Sequence, residues 1–441
     1  MMRSELLTKR YPDGELQRVQ VVRWDDWGAL RFLRGAGDPG TLEGVARIYR
    51  RFLIPACPWI FGQMLLFRLP EDLDGAAFGL SGAQPLTQAA ALLRRGVRLR
   101  GGKPFFRSEE ARSLWRALER AGCLAIARGR LPFTRVLPVG NESFLLSRVA
   151  GSAQLAVNAS FFILDAFDCA TRYDVIGTPF GLAVEDGRVL CPPLYGREAL
   201  VVRRGGRVSV ETPALEALSV RLGGKAFRPG VDAAVFTRPA CRRTPRGKGW
   251  DHVIVDRTLA DVVEGGGCEV PASGFVLRLA ARTGSPGVEV DYGGMEDVLF
   301  AVQAGNSLVR GGRETERFVS SFYNIYRPWR TPYPPSLYPL DYEKARAARI
   351  ALGADGAGKP ILLWAEGAAK IGHTPGEDSC GASLSEFARI CREAGMVEGV
   401  NLDGGGSAQI LLRGKRSLQI SDRDDDGREV ERAVPLGLVI E

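Results

Sequence analysis

The sequence predicts an α+β fold: a strand-rich mixed sheet with packed helices, preceded by an N-terminal extension of mixed α/β character. Three observations carry this expectation. From about residue 131 onward, short apolar runs such as "AQLAVNASFFIL" and "FGLAVEDGRVL" alternate with Gly and Pro, the texture of β-strands joined by turns. Amphipathic helical repeats are few, and each is bounded by recognisable start and stop residues. The length of 441 residues exceeds one average domain, so two units are expected, 1–130 and 131–441.

Taken in order, the first helical stretch is "PLTQAAALLRRGVRLR" (85–100), Ala/Leu-rich and ending at Gly101-Gly102. The second, "SEEARSLWRALERAG" (108–122), has Ser108 as a cap, acids in its first turn and Gly122 as a stop. Asp186-Gly187 and Gly205-Gly206 each lie between apolar runs and read as hairpin turns. The stretch 228–250 reads as an exposed basic segment around one strand. The stretch 323–342, dense in Pro and aromatics, reads as a long loop covering a site. "RIALGAD" (349–355) and "PILLWAEG" (360–367) read as two strands joined by a Gly-rich turn. In "GASLSEFARICREAG" (381–395), Ser383 and Glu386 form a capping box, and Leu384, Phe387, Ala388 and Cys391 share one face. "VEGVNL" (397–402) and "AQILLRG" (408–414) are further strands.

Composition narrows the function classes. The chain is 45% hydrophobic and 25% charged, as in a soluble globular protein. The net charge of +8 is compatible with anionic ligands, yet no run of five or six like charges occurs, so no nucleic-acid partner is expected. Eight cysteines stand singly with no CxxC, which gives no metal site and, with no apolar leader at the N-terminus, predicts free thiols and a cytoplasmic location. The most apolar early run (52–67) carries two prolines and is too short for a membrane span. No cofactor motif is present, and "DRDDDG" (422–427) lacks the later ligands of a calcium loop and reads as an acidic hairpin turn.

The chemistry-bearing motif is "NLDGGGSAQ" (401–409). Glycine lets a ligand approach the backbone, and consecutive amides in such a turn can converge on an anion. Gly404, Gly405, Gly406 and Ser407 are therefore candidate donors to an anionic ester, with Asp403 beside them to orient a hydroxyl or act as acid or base. The plainer alternative is a turn whose aspartate caps its own backbone. A Walker loop is excluded, because no Gly-Lys-Ser/Thr follows.

The run 401–407, with the capped helix before it, resembles the phosphodiester glycosidase family. "AVNASFF" (156–162), "AGNSLVRGG" (304–312), "ARIALG" (348–353) and "WAEGA" (364–368) resemble the family's earlier blocks in the right order. The resemblance implies cleavage of the glycosidic bond of a sugar-1-phosphodiester, the partner being a small-molecule or glycan phosphodiester. On that basis Asp403 is the first candidate carboxylate and Glu366 the second. Arg349 is the candidate phosphate clamp, its guanidinium presenting a fork to two oxygens. Asn158 is a candidate hydrogen-bonding partner for a sugar hydroxyl, with the alternative of a turn residue. His373 is a candidate donor at the substrate, with the alternative of a solvated loop histidine. Phe161 and Phe162 read as core. The chain departs from the pattern at Ala159, Ser160, Glu366 and Ala368. Those departures support a second reading, a non-catalytic carbohydrate- or phosphate-binding module. Members of the family are usually exported, which runs against the expected cytoplasmic location.

Overall fold

The computed structural model describes residues 2–441 apart from 36–39, 51–61, 81–83, 130, 141–142, 165–168, 170, 239–240, 284–286, 319–343, 370–372 and 425. The loop expected at 323–342 thus lies outside the described residues. The central sheet has seven antiparallel strands in the order Arg3–Arg10, Leu16–Arg23, Pro360–Ala365, Arg349–Asp355, Met396–Asn401, Ser307–Arg310 and Arg313–Glu314. A four-stranded sheet packs on it, in the order Ile410–Leu412, Leu155–Asn158, Gly437–Ile440 and Arg31–Leu33. Smaller antiparallel sheets built from 183–302 continue the β architecture.

Strand periodicity explains how these layers meet. Successive strand residues point to opposite faces, so Ile350, Leu352, Leu362, Trp364 and Val400 face Leu155, Val157, Ile410 and Leu438 of the four-stranded sheet. Ala351, Ile361 and Leu363 face the other way, toward Leu384, Phe387, Ala388 and Cys391 of the helix Leu384–Glu393. Both faces are covered, which is why "ILLWA" is apolar at every position. The helix starts where the sequence indicates: Ser383 accepts from the Glu386 amide at 3.2 Å and Glu386 reaches back to the Ser383 amide at 2.8 Å.

The α+β expectation is corrected by the observed content. Strand accounts for 40% of the described residues and helix for 16%, so the fold is mostly β and the described helices cover sheets built of strands. The helices Pro85–Gly96 and Glu109–Arg120 pack on the small sheet of Gly62–Phe67, Leu124–Ala127 and Leu131–Pro138. The stretch expected to be helical to residue 100 leaves the helix at Gly96. Val97–Arg100 instead pairs with Lys103–Phe106 across Gly101 and Gly102, whose φ values of +57° and +80° suit glycine. The alternating burial of Val97, Arg98, Leu99 and Arg100 has the period of a strand.

A boundary near residue 130 does not separate the first strands from the rest. Leu16–Arg23 pairs with Pro360–Ala365, and Arg31–Leu33 pairs with Gly437–Ile440. Residues 16–33 are therefore part of the sheets that carry the C-terminal motif. No described helix is long and apolar enough to cross a membrane.

Candidate active site

The glycine-rich turn is the place where the chain leaves one sheet for the other. Met396–Asn401 belongs to the seven-stranded sheet, and Ile410–Leu412 to the four-stranded sheet. Residues between them form a single tight turn, Gly405–Ser407. The crossing is so close that a Cβ at Gly404 would lie 2.6 Å from the carbonyl oxygen of Ala348. One at Gly406 would lie 2.2 Å from an Arg432 nitrogen and 2.3 Å from an Asp422 oxygen. Gly405 needs its identity for a different reason, a φ of +58°.

Register brings the sequence-predicted residues to one end of the central sheet. Ala351 pairs with Asn401, and the Leu402 amide donates to the Ile350 carbonyl at 2.8 Å. The next step places Asp403 level with Arg349. Arg349 in turn pairs with Ala365, the residue before Glu366. From the second sheet, Asn158 donates its side-chain amide to the Asp403 carbonyl at 2.8 Å. Asp403 is 8% exposed and Arg349 5%. All four residues thus gather where the two sheets meet.

Their side chains are engaged in ways the sequence did not reveal. Asn158 accepts from the Gln409 amide at 3.0 Å as well, so its amide group braces both ends of the turn. The Glu366 carboxylate accepts from Ser379 Oγ at 2.7 Å, the Gln419 amide at 2.8 Å and Arg18 at 3.3 Å. It ties four segments together. Arg349 donates from Nε to the Ala382 carbonyl at 3.0 Å and from a terminal nitrogen to the Ala345 carbonyl at 2.9 Å. His373 lies beside Glu15, Nε2 to Oε2 3.8 Å, and no described contact joins it to the turn.

The turn amides also differ from the expected anion cradle. Those of Asp403, Gly405, Ser407 and Ala408 donate to the carbonyls of Ala159, Ala348, Gly404 and Gly405. Of the four amides expected to converge on a ligand, those of Gly405 and Ser407 are occupied by main chain. Besides Asn158, Arg432 reaches this turn from outside. Its Nε and one terminal nitrogen both meet Asp422 Oδ2, at 3.0 and 2.7 Å, and the other terminal nitrogen is 3.4 Å from Ser407 Oγ. Asp422 and Arg432 flank the acidic turn, whose Asp424 carboxylate accepts the amides of Asp426 and Arg428 and whose ends pair at Arg423 and Glu429. The hairpin reading of this stretch fits that geometry. The one hint of the Asp422–Arg432 contact in the sequence was an arginine returning just beyond a hairpin turn.

A cavity of about 520 Å³ lies elsewhere, walled by Leu69, Leu73, Leu86, Ile163, Tyr173 and Pro179 among others. None of the predicted site residues lines it. Its walls are mixed, with Arg34, Glu71, Asp174 and Asp256 among the apolar residues.

Residues 272–441 match the family model described as phosphodiester glycosidase. The resemblance to that family therefore holds over this stretch, which contains Arg349, Glu366, Asp403, Asp422 and Arg432 but not Asn158. No curated protein matches the chain. Among solved structures, the chain is similar to a hypothetical protein from Synechocystis, at 15% identity and TM-score 0.46, with 100% of this chain and 62% of that one covered. It is similar also to the catalytic domain of zebrafish N-acetylglucosamine-1-phosphodiester α-N-acetylglucosaminidase, auto-inhibited by its pro-peptide (12% identity, TM-score 0.41, coverage 100% and 83%). A third is a protein from Burkholderia pseudomallei (16% identity, TM-score 0.42, coverage 100% and 97%). The chain thus spans 62% of the length of the Synechocystis protein.

Proposed function

We propose that this chain is a hydrolase that cleaves the glycosidic bond of a sugar-1-phosphodiester. The phosphodiester glycosidase match supports glycosidase-type function, and the phosphodiester-linked sugar is the finer part of the proposal. One observation carries it: Asp403, inside the matched stretch and largely buried, follows Asn401 and Leu402, which lie against Ala351 and Ile350 at the strand end that begins with Arg349.

The chemistry follows from the bond being broken. The leaving group is a phosphate monoester, which departs with less protonation than a sugar alkoxide needs. The demand shifts to positive charge near the phosphate and a carboxylate near the anomeric carbon. Asp403 supplies the carboxylate, activating water or stabilising the oxocarbenium-like transition state. Arg349, fixed by the carbonyls of Ala382 and Ala345, adds positive charge one strand away. Glu366 has its carboxylate committed to Ser379, Gln419 and Arg18, and its role is to hold the strand end in place.

The test is turnover. Purified protein incubated with a panel of sugar-1-phosphodiesters should release reducing sugar, and Asp403→Asn should lose about 100-fold or more of that rate. Full activity in Asp403→Asn would overturn the assignment. The engagement of Asn158 and Glu366 with the protein itself favours one alternative, a binding module without catalysis. That reading requires the wild type to retain such a ligand with no sugar released.

A further inference from the structure

We propose that the cavity of about 520 Å³ is a binding site for a small organic cation, an amine carried on a compact apolar body. The site lies apart from the glycine-rich turn, so the inference goes beyond the hydrolase reading and does not rest on it.

Two separate hydrophobic cores supply the walls. Leu69, Leu73 and Leu86 stand at the edge of the core beneath the helices Pro85–Gly96 and Glu109–Arg120 and stay partly open. Ile163, Leu190 and Val255 come from the cores of the larger sheets. Main-chain bonds make this second wall firm. The Ile163 amide donates to the Thr178 carbonyl at 2.9 Å, and the Gly177 amide to the Ile163 carbonyl at 2.7 Å. Asp256 follows Val255 into a tight hairpin turn, with a φ of +43° and its amide 3.3 Å from the Ser273 carbonyl. The volume lies within the range of about 300–1,000 Å³ that small-molecule sites occupy, and mostly apolar walls with a few polar groups are their usual lining.

Charge at the cavity selects the sign of the ligand. Glu71 and Asp256 line it and are exposed, and neither carboxylate has a hydrogen-bond or ion-pair partner among the described residues. Asp72, next in the chain to Glu71, is exposed and of the same sign. Asp174 adds little to this field, because Arg238 lies 3.2 Å from its carboxylate within the wall and the amides of Thr171 and Ala272 donate to it. The Tyr173 hydroxyl is engaged by Arg172 and Asp261. Arg34 also lines the cavity and is itself held by other groups, and Arg257 is turned to the Val189 carbonyl. An entering anion would face two carboxylates that lack counter-ions. An ammonium supplies that counter-ion, and its apolar body covers the leucines that the two cores leave open.

The experiment uses three probes with one apolar body and different charge: 4-phenylbutylamine, 4-phenylbutanol and 4-phenylbutyrate. Calorimetry follows each on the wild type, on Glu71→Gln/Asp256→Asn and on Leu73→Trp. The wild type should bind the amine about tenfold or more tighter than the carboxylate, and that preference should shrink as salt rises from about 0.05 to about 0.5 M. Glu71→Gln/Asp256→Asn, altered only at exposed positions, should bind the amine about tenfold more weakly and the alcohol with unchanged affinity. Leu73→Trp fills the space and should abolish binding of all three. The proposal is overturned if the amine does not bind the wild type, if the carboxylate binds as tightly, or if the double variant keeps full affinity for the amine. Undiminished binding to a folded Leu73→Trp would place the probes elsewhere and overturns it as well. The double variant decides the matter where Leu73→Trp does not fold. Because the readout is binding of an amine, its failure and a failure to cleave sugar-1-phosphodiesters are separate results.

Discussion

Asn158 donates its side-chain amide to the main-chain oxygen of Asp403 at 2.8 Å, joining the end of a strand in one sheet to the candidate carboxylate at the end of another. Its own oxygen accepts from Gln409, so a single buried amide spans the turn that connects the two sheets. Asn158→Ala removes both bonds and leaves two main-chain groups unmatched. At about 1–3 kcal/mol for each buried group left unpaired, partly relieved by relaxation, the loss should be about 2–4 kcal/mol. Urea unfolding at constant slope reads it, and a loss under about 0.5 kcal/mol would mean the amide does not brace the turn.

Glu366 and Asp403 should separate by what they damage. Asp403→Asn is expected to abolish turnover with little change in stability. Glu366→Gln places an N–H₂ where Ser379, Gln419 and Arg18 all donate, so at least one bond must break. Stability should fall by about 1–3 kcal/mol, tempered by Arg18 being one-third exposed and able to meet water. Turnover should fall less than about tenfold, which is far below the effect of losing an acid–base group. Full stability with abolished turnover in Glu366→Gln would reverse the two roles.

The local elements were legible in the sequence because their signals are local. Ser383 with Glu386, Ser108, and Asp186-Gly187 each mark an end or a turn through a hydrogen bond or a backbone angle that neighbouring residues decide. The strand "PILLWAEG" was legible for the same reason. What the sequence hid was pairing at long range. Nothing in "LQRVQVVR" says that it lies beside residues 360–365, and nothing in an arginine at 432 says that it closes on Asp422 over Gly406. The motif at 401–407 is visible, and by its residue types alone its glycines suit ligand donors. Gly404 and Gly406 also suit close packing that leaves no room for a Cβ, and Gly405 a left-handed φ, uses that depend on partners distant in sequence. The α+β expectation fails because the helices carry long periodic signals, whereas many strands of three to five residues are too short for a clear alternation.

Acid should weaken the fold through Asp251. Its carboxylate, fully buried on the strand Trp250–Val255, accepts from Arg278 at 2.6 and 2.9 Å, from Thr244 Oγ1 and from Cys268 Sγ at 3.3 Å. Burial alone would raise its pKa, but the hydrogen bonds from Arg278, Thr244 and Cys268 outweigh it and hold the group below the ordinary value of 3.8. A depressed folded pKa means that the ionised form favours folding. The contribution is complete above the ordinary carboxylate range and is lost as pH falls through the lowered value. Thermal midpoints should therefore decline below about pH 4, and Asp251→Asn should flatten that limb while costing on the order of 3 kcal/mol at pH 7. An unchanged acid limb in Asp251→Asn would remove Asp251 as its source.

The glycines of the turn should differ in cost because they meet different obstacles. At Gly405 a Cβ would touch nothing within 4 Å, and the only penalty is the left-handed φ of +58°. Gly405→Ala should cost about 1 kcal/mol. At Gly404 the backbone angles are extended, φ −121° and ψ −156°, and open to any residue. There the obstacle is the Ala348 carbonyl at 2.6 Å, a main-chain atom that also accepts the Gly405 amide at 2.8 Å. It cannot rotate away as a side chain could. Relief requires the start of the strand Arg349–Asp355 to shift, and Arg349 with it. Gly404→Ala should therefore cost about 3 kcal/mol, the upper end of overpacking in a close-packed interior. Urea midpoints of the two variants give the order directly. Should Gly405→Ala prove the more damaging, the turn does not rest on Ala348, and the placement of Asp403 level with Arg349 loses its support.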